Sequence, residues 1–314
     1  MHLGMVGLGK MGGNMVRRLR SAGIDVVAHD IDDAQARSLA QETGATAAPT
    51  LEALVQALPA PRTVWLMLPA GDITQGAVDQ LAELLEPGDR IVDGANSLFK
   101  DALRRSSDLA ERDIHFLDAG VSGGVWGLEE GYCLMLGGEA EDVAAIRPMV
   151  EALAPAPERG WIHCGPVGSG HYAKMVHNGI EYGKMQALAE GLALLKSRED
   201  FDYDLAALSE AWRHGSVVRS WLLDLTAGFL SNDQELQDIA PVVPDSGEGR
   251  WTAIEAIDQG VPAPVMTQAI IARFESQGGG DYTAKLLASM RNAFGAVSYT
   301  HLRAHETNDL IAYA

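Results

Sequence analysis

The chain is poor in positive charge. Its 314 residues include 24 lysines and arginines against 43 aspartates and glutamates, which gives a formal net charge of −19. Nucleic acid and anionic membrane surfaces repel such a protein, so neither is expected as a partner. Any anionic ligand must therefore be held by a local cluster of cationic side chains.

Cysteine is limited to Cys133 and Cys164, each inside an apolar run with the pattern of a strand. Two isolated cysteines provide neither a disulfide framework nor a CxxC metal site, so we predict a reducing compartment and no bound metal. The N-terminus lacks a basic segment followed by a long apolar run. No apolar run reaches the length of about 18 residues that is needed to cross a bilayer. We expect a cytoplasmic protein without a membrane partner.

Short apolar runs alternate with amphipathic segments through the first half of the chain. The apolar runs predict strands at residues 3–7, 25–29, 63–68, 90–93, 115–118, 132–136 and 161–164. Helices are predicted between many of them, at residues 11–22, 33–43, 73–85 and 140–153. This βαβ rhythm predicts an α/β fold with a Rossmann-type, doubly wound and largely parallel sheet.

Strand patterns stop after the glycine-rich run Gly165-Pro166-Val167-Gly168-Ser169-Gly170. From there the apolar positions recur with helical spacing, at about 171–196, 205–212, 217–229, 251–259, 265–276 and 283–294. We therefore predict two domains, an α/β domain over residues 1–166 and an all-α domain over residues 167–295. Residues 296–314 follow neither period, and we interpret them as a disordered or non-native tail.

A GxGxxG motif, Gly7-Leu8-Gly9-Lys10-Met11-Gly12, follows the first predicted strand and opens the first helix. Its glycines permit a tight turn, close approach of the backbone to a pyrophosphate, and close packing of the helix on the strand. Asp30 ends the second predicted strand, where a carboxylate accepts hydrogen bonds from ribose hydroxyls and repels a 2′-phosphate. No arginine follows in Ile31-Asp32-Asp33, so the motif predicts NAD as the cofactor in preference to NADP.

A polar stripe marks the first helix of the second predicted domain. His177, Asn178 and Glu181 lie three, four and seven residues after Lys174, which places all four on one helical face. A solvated surface stripe with a core histidine is the alternative interpretation. The position just after the turn between the domains favours a site, because substrate clefts form at domain junctions.

Four further blocks resemble decarboxylating 6-phosphogluconate dehydrogenases of the 3-hydroxyacid dehydrogenase superfamily, in their short bacterial form. These blocks are Asp93-Gly94-Ala95-Asn96-Ser97, Val121-Ser122-Gly123-Gly124-Val125-Trp126-Gly127, Lys174 through Tyr182, and Gly249-Arg250-Trp251-Thr252. The resemblance reaches about Gly295. It implies NAD-dependent oxidative decarboxylation of 6-phosphogluconate, a reaction of pentose phosphate metabolism and gluconate utilisation, by a homodimer or homotetramer.

The resemblance also implies a role for each matched residue. Lys174 is expected to act as general base on the C3 hydroxyl, and Glu181 to protonate C1 of the enediol left after loss of carbon dioxide. The sugar acid's carboxylate and hydroxyls would be held by Asn96, which also neighbours the cofactor, and by Ser122, Gly123, Gly124, His177 and Asn178. The phosphate would be held by Tyr182, Arg250, Thr252 and Arg273, and by Arg291, which matches an arginine that the family inserts from the C-terminal segment of a neighbouring subunit. Where the family places a histidine six residues after that last arginine, this chain has Val297.

Two other functions remain open at this point. One is the oxidation of a small 3-hydroxy acid, as in a 3-hydroxyisobutyrate dehydrogenase, and the other is a catalytically silent NAD-binding sensor. A dehydrogenase that releases no carbon dioxide has no need of Glu181 or of the phosphate-type cations Arg250 and Arg273. The presence of both Lys174 and Glu181 argues against the silent sensor.

Overall fold

The computed structural model describes residues 1–293, which fall into two compact units. The first unit spans Met1–Glu181, and the second begins at Tyr182. No helix within the described residues has the length and apolarity needed to cross a membrane.

The first unit is built on one eight-stranded sheet. Its strands are β1 (His2–Val6), β2 (Asp25–His29), β3 (Thr46–Ala47), β4 (Thr63–Leu66), β5 (Arg90–Asp93), β6 (His115–Ser122), β7 (Cys133–Gly137) and β8 (Trp161–Gly165). Their order is β3-β2-β1-β4-β5-β6-β7-β8, and every pair is parallel except β6 and β7. The predicted Rossmann-type, largely parallel sheet is confirmed. Its central strands are continuous apolar runs because both of their faces are buried.

Helices cover both faces of this sheet. They are α1 (Lys10–Ser21), α2 (Asp33–Thr43), α3 (Leu51–Ala57), α4 (Asp72–Leu84), α5 (Phe99–Ala110), α6 (Gly127–Glu130), α7 (Ala140–Leu153) and α8 (Ser169–Lys196). Buried side chains of α1, α2 and α7 belong to one apolar core, and those of α3, α4 and α5 belong to another. These two cores hold the strands in place, so the carboxyl ends of the parallel strands form a fixed edge for a site.

The second unit is helical throughout the part that the structure describes, as predicted. Besides the continuation of α8 it contains α9 (Leu205–Trp212), α10 (Trp221–Leu230), α11 (Glu248–Asp258), α12 (Pro264–Ser276) and α13 (Asp281–Ala293). Its cores are small: one is formed around Tyr182 and Ile270, and another around Leu192, Leu205 and Leu230. Many of its large apolar side chains therefore remain exposed.

The start of α8 belongs to the first unit. Asp118 of β6 accepts hydrogen bonds from the backbone N–H groups of Gly168 and His171, both at 2.6 Å, and so caps the helix. A Cβ on Gly120 would overlap Lys174, which shows how closely α8 approaches β6. The sequence separates the predicted domains at residues 166 and 167, whereas the compact units meet within α8 because its first turns pack on the sheet. The predicted tail, residues 296–314, lies outside the described residues.

Candidate functional site

The GxGxxG motif forms an open cradle between β1 and α1. Gly7 has a φ of +89°, a conformation that glycine adopts most readily, and a Cβ on Gly12 would overlap the Gly7 carbonyl oxygen. A Cβ on Gly9 would meet nothing within 4 Å, so the backbone there is accessible to a ligand. No side chain caps the first turn of α1, which leaves its N–H groups available to an anion. The cradle therefore fits the pyrophosphate of a dinucleotide.

Asp30 follows β2 and holds the cradle in shape. Its carboxylate accepts hydrogen bonds from the backbone N–H groups of Leu8, at 2.6 Å, and of Asp32, at 2.9 Å. Each carboxylate oxygen has two lone pairs, so both can still accept a ribose hydroxyl. The nearest cation beyond the strand along the chain is Arg37, which is paired with Asp33. Both acids disfavour an additional phosphate at this position.

The predicted polar stripe of α8 is partly buried. Lys174 and Asn178 are only 8% and 9% exposed, whereas the side chains of His177 and Glu181 are about two-fifths exposed. The Nδ1–H group of His177 donates to Asn178 Oδ1 at 3.0 Å, and Glu181 Oε2 lies 3.9 Å from the same nitrogen. A solvated stripe would not bury its lysine and its amide, so this arrangement favours a site over a surface.

The end of β6 brings Ser122 to this stripe. The hydroxyl of Ser122 donates to Nε2 of His177 at 3.4 Å, with the tautomer assigned from the partner of Nδ1. Gly123 and Gly124 follow with φ values of +136° and +54°, so the chain turns where other residues would be strained. The predicted substrate loop and the predicted catalytic helix are therefore in contact.

Asn96 lies in the loop after β5 and is exposed. Because β5 and β6 are parallel neighbours, this loop leaves the sheet at the edge from which Gly123 also departs. The cradle follows β1 and Asp30 follows β2 at the same edge. The first unit thus gathers the predicted cofactor residues, Asn96, the substrate loop and the catalytic stripe at one edge of the sheet.

Cys133 is a residue of this site that the sequence reading did not identify. In the antiparallel register of β6 and β7 it lies directly opposite Ser122, and it is exposed. Partial burial of the thiol raises the pKa of Cys133, and the positive charge of Lys174 partly offsets that rise. The sequence assigns Cys133 to a strand, but only the strand pairing reveals its neighbours.

A second cluster lies within the helical unit. The Arg273 guanidinium stacks on the Tyr182 ring, 3.4 Å from the ring centroid, and donates to the carbonyl of Pro244 at 2.9 Å. Arg250 pairs with the buried carboxylate of Asp245 through Nε at 3.0 Å and through its terminal nitrogen at 2.7 Å. Four of the five residues predicted to bind phosphate thus contact one short segment, residues 244–248: Tyr182, Arg250, Thr252 and Arg273.

The same segment contributes acidic and hydroxyl groups that were not predicted. The hydroxyl of Ser246 donates to Glu248 at 2.6 Å, so the Tyr182 hydroxyl is the donor in its 3.0 Å hydrogen bond with Ser246. Thr252 is buried and donates to the Glu248 carbonyl at 2.8 Å. Arg291 is exposed on α13, and no hydrogen bond or ion pair among the described residues joins it to this cluster.

Comparisons with known proteins agree with this architecture. A family model described as the NAD binding domain of 6-phosphogluconate dehydrogenase matches residues 2–165. Another, described as the 6-phosphogluconate dehydrogenase C-terminal domain, matches residues 170–290. The two matches together account for most of the chain.

Individual relatives carry the same name with different cofactors. A Haloferax volcanii protein named 6-phosphogluconate dehydrogenase, NAD(+)-dependent, decarboxylating, is 40% identical over 296 residues, covering 94% of this chain and 97% of that protein. A Bacillus subtilis protein named 6-phosphogluconate dehydrogenase, NADP(+)-dependent, decarboxylating, is 36% identical and covers 87% of this chain and 61% of that protein. The solved structure of a Plasmodium falciparum 6-phosphogluconate dehydrogenase is similar with a TM-score of 0.81 and 28% identity, covering 98% of this chain and 68% of that one.

Proposed function

Because the chain belongs to the 6-phosphogluconate dehydrogenase family, we propose that it oxidises and decarboxylates 6-phosphogluconate to ribulose 5-phosphate and carbon dioxide, with NAD as hydride acceptor. The observation that carries this proposal is the partly buried stripe of Lys174, His177, Asn178 and Glu181 in contact with Ser122. The stripe combines an amine, hydroxyl-binding groups and a carboxyl group, and the reaction needs one proton removed and another returned.

Lys174 is the proposed general base. To act as a base it must meet the substrate as the neutral amine, and its side chain is largely buried at the site. The amine takes the proton of the C3 hydroxyl as the hydride leaves C3. A bound nicotinamide ring supplies the acceptor for that hydride. The protonated Lys174 then donates to the new C3 carbonyl oxygen, which draws in the electrons of the C1–C2 bond as carbon dioxide departs.

Glu181 is the proposed acid for the final step. The enediol left by decarboxylation needs a proton on carbon, while Lys174 is still hydrogen-bonded to the oxygen on the neighbouring carbon. One group cannot serve both atoms well, so a second acid within the same stripe is required. Glu181 is one helical turn beyond His177 and partly exposed, which gives its carboxyl group access to solvent protons between turnovers.

The remaining predicted residues have binding roles in this proposal. Hydrogen bonds to the sugar acid's carboxylate and hydroxyls come from Asn96, Ser122, Gly123, Gly124, His177 and Asn178. Phosphate contacts come from Tyr182, Arg250, Thr252 and Arg273 and, from a neighbouring subunit, Arg291, since guanidinium groups meet phosphate oxygens with two parallel hydrogen bonds. Asp245 holds the Arg250 guanidinium through two of its nitrogens, so this fork is already ordered before a ligand arrives.

The preference for NAD rests on Asp30. Its carboxylate is partly exposed beside the cradle and has lone pairs for ribose hydroxyls. The carboxylates of Asp30 and Asp33 would repel a 2′-phosphate, and residues 31–36 contain no lysine or arginine to bind it. We therefore propose that NAD is used in preference to NADP.

A substrate panel tests the proposal. Reduction of the nicotinamide would be followed by absorbance with 6-phosphogluconate, gluconate and 3-hydroxyisobutyrate, each with NAD and with NADP. We expect turnover with 6-phosphogluconate and NAD, accompanied by one carbon dioxide per reduced cofactor. Turnover with 3-hydroxyisobutyrate alone, or reduction without carbon dioxide release, would contradict the proposed reaction. Tight binding of NAD with no turnover on any acid would point to the silent sensor.

A further inference from the structure

The loop that presents Asn96 is built around a buried carboxylate. Asp93, at the end of β5, accepts hydrogen bonds from the backbone N–H of Ala95 at 3.0 Å and from the hydroxyl of Ser97 at 3.1 Å. Its charge is balanced by Arg105, whose guanidinium lies 2.7 Å away, and both side chains are at most 1% exposed. Residues 95 and 97 are thus fixed on either side of Asn96.

His171 connects this loop to the catalytic helix. Its backbone N–H donates to Asp118, which caps α8, and its ring Nε2–H donates to the backbone carbonyl of Asp93 at 3.1 Å. The ring is buried, and its other nitrogen has no hydrogen-bond partner among the described residues. The imidazole therefore contributes one specific hydrogen bond, from the first turn of α8 to the end of β5.

Helix geometry places this hydrogen bond on the reacting side of α8. Lys174 and Asn178 lie three and seven residues after His171, so all three side chains project from one face of the helix. Gly120 and Gly170 allow the helix to pack directly on β6 and β7. The His171–Asp93 hydrogen bond joins this face of α8 to the end of β5, so it opposes rotation of the helix about its axis and movement of the loop after β5.

We propose that His171 is a positioning residue that fixes the loop carrying Asn96 against the helix carrying Lys174. The inference rests on the proposed function, because the proposed reaction is what requires Asn96 and Lys174 to be held at a fixed distance from each other. Proton removal and hydride transfer need their groups in place at the same moment, and a displacement of about 1 Å can lower a rate by about a hundredfold. The positioning depends on the N–H donor of the imidazole ring and not on the volume of the ring.

A matched pair of variants separates the donor from the volume. His171→Gln retains an N–H donor at about the reach of Nε2, whereas His171→Met has a similar length and no donor. We expect His171→Met to lower kcat at least about tenfold. His171→Gln is expected to stay within about threefold of the parent protein. The affinity for NADH, measured by fluorescence titration, should change much less than kcat in both variants, because the cradle and Asp30 are untouched and Asn96 is the one predicted cofactor residue on this loop.

Two further measurements keep the test decisive. Hydrogen exchange should be faster for the amides of residues 94–97 in His171→Met than in His171→Gln, which reports the loop independently of turnover. If His171→Met does not fold, His171→Asn replaces it, since its shorter amide does not reach the Asp93 carbonyl. Equal kcat values or equal exchange in the two variants would overturn the positioning role. An inactive parent protein would instead contradict the proposed function, and the exchange comparison would still decide the role of His171.

Discussion

Lys174 carries the most demanding role in the proposed chemistry, because it must accept and return a proton from a largely buried position. Replacing it with methionine keeps the length of the side chain and removes the base. We expect Lys174→Met to lower kcat with 6-phosphogluconate by about 10² or more, the usual contribution of general acid–base catalysis. Titration with NADH should give the parent affinity.

Lys184, which is exposed further along α8, offers the matched control. Lys184→Met makes the same chemical change at an exposed side chain beyond Glu181 that has no role in the proposed chemistry, and it should leave kcat within about twofold, as surface substitutions usually have small effects. Normal turnover by Lys174→Met would remove the base from the mechanism. Equal losses in both variants would point to a general effect of lost positive charge.

Asp30 provides a test of the cofactor preference. Asp30→Asn removes the charge that repels a 2′-phosphate and keeps an oxygen to accept the Leu8 N–H. We expect the ratio of kcat/KM for NADP to that for NAD to rise at least about tenfold, corresponding to about 1.4 kcal/mol of removed repulsion. Asp79→Asn, an exposed change on α4 with the same effect on net charge, should leave the ratio unchanged. An unaltered ratio in Asp30→Asn would contradict the basis for NAD preference.

Tyr132 gives the fold a predictable sensitivity to alkaline pH. Burial raises the pKa of Tyr132 to about 12, while in the unfolded chain it ionises near its ordinary value of 10.0. The protonated folded form is therefore favoured below pH 10, and this contribution is lost as the pH rises from 10 to 12, by at most about 3 kcal/mol. Tyr132→Phe should lose less unfolding free energy than the parent over that range, measured by urea unfolding. Identical pH dependence would show that Tyr132 ionises freely in the folded protein.

At the scale of elements, sequence patterns predicted those strands and helices that carry a clear period. The order strand, glycine loop, helix and acidic residue identified β1, α1 and β2. α5 is not among the helices named from the sequence, and one of its inward positions is occupied by Arg105, a residue that sequence patterns assign to the surface. β3 has two residues and α3 has seven, which is too short for a period to be recognised. The antiparallel direction of β7 was not predictable either, because the alternation of apolar and polar residues along a strand does not depend on its direction.

Some residues of the candidate site were predictable from the sequence, and others were not. The spacing of Lys174, His177, Asn178 and Glu181 on one helix was sufficient to predict a polar face, because neighbours on a helix follow from sequence separation alone. The positions of Cys133 and His171 were not predictable. Cys133 meets Ser122 through strand register, and His171 meets Asp93 through the packing of a helix against a distant strand.

The close packing of α8 on the sheet depends on a glycine in β6. A Cβ on Gly120 would overlap the side chain of Lys174 and lie 2.9 Å from the Gly170 carbonyl oxygen, so α8 must move away. We expect Gly120→Ala to cost about 1–3 kcal/mol of unfolding free energy, as overpacking does. Its kcat should fall as well, because Lys174 is displaced.

The matched control is a helical glycine with open surroundings. A Cβ on Gly76, in α4, would meet nothing within 4 Å. Gly76→Ala should therefore raise the unfolding free energy by about 0.5–1 kcal/mol, since alanine restricts the unfolded chain and favours a helix. Parent-like stability and turnover in Gly120→Ala would show that α8 does not depend on this contact.

At the scale of the whole molecule, apolar exposure and net charge act in opposite directions on self-association. The second unit exposes large apolar side chains, among them Val217, which is fully exposed, and Ile257, which is 75% exposed. Exposed apolar side chains gain free energy when another subunit covers them, so we expect a dimer or larger oligomer by light scattering. The net charge of −19 opposes association, and added salt should therefore strengthen it. A monomeric mass at every protein and salt concentration would contradict this expectation.

The reversal of direction between β6 and β7 has a consequence for how such a protein diversifies. The chain leaves β6 and enters β7 at the same sheet edge, so the segment between them bridges two adjacent strand ends. Val125 and Leu128 of this segment are hydrogen-bonded to α1 through Asn14 and Arg18. Insertions or grafts there leave every strand in register. We expect a different segment grafted at this position to change which acids the protein accepts, because Gly123 and Gly124 lie at its start.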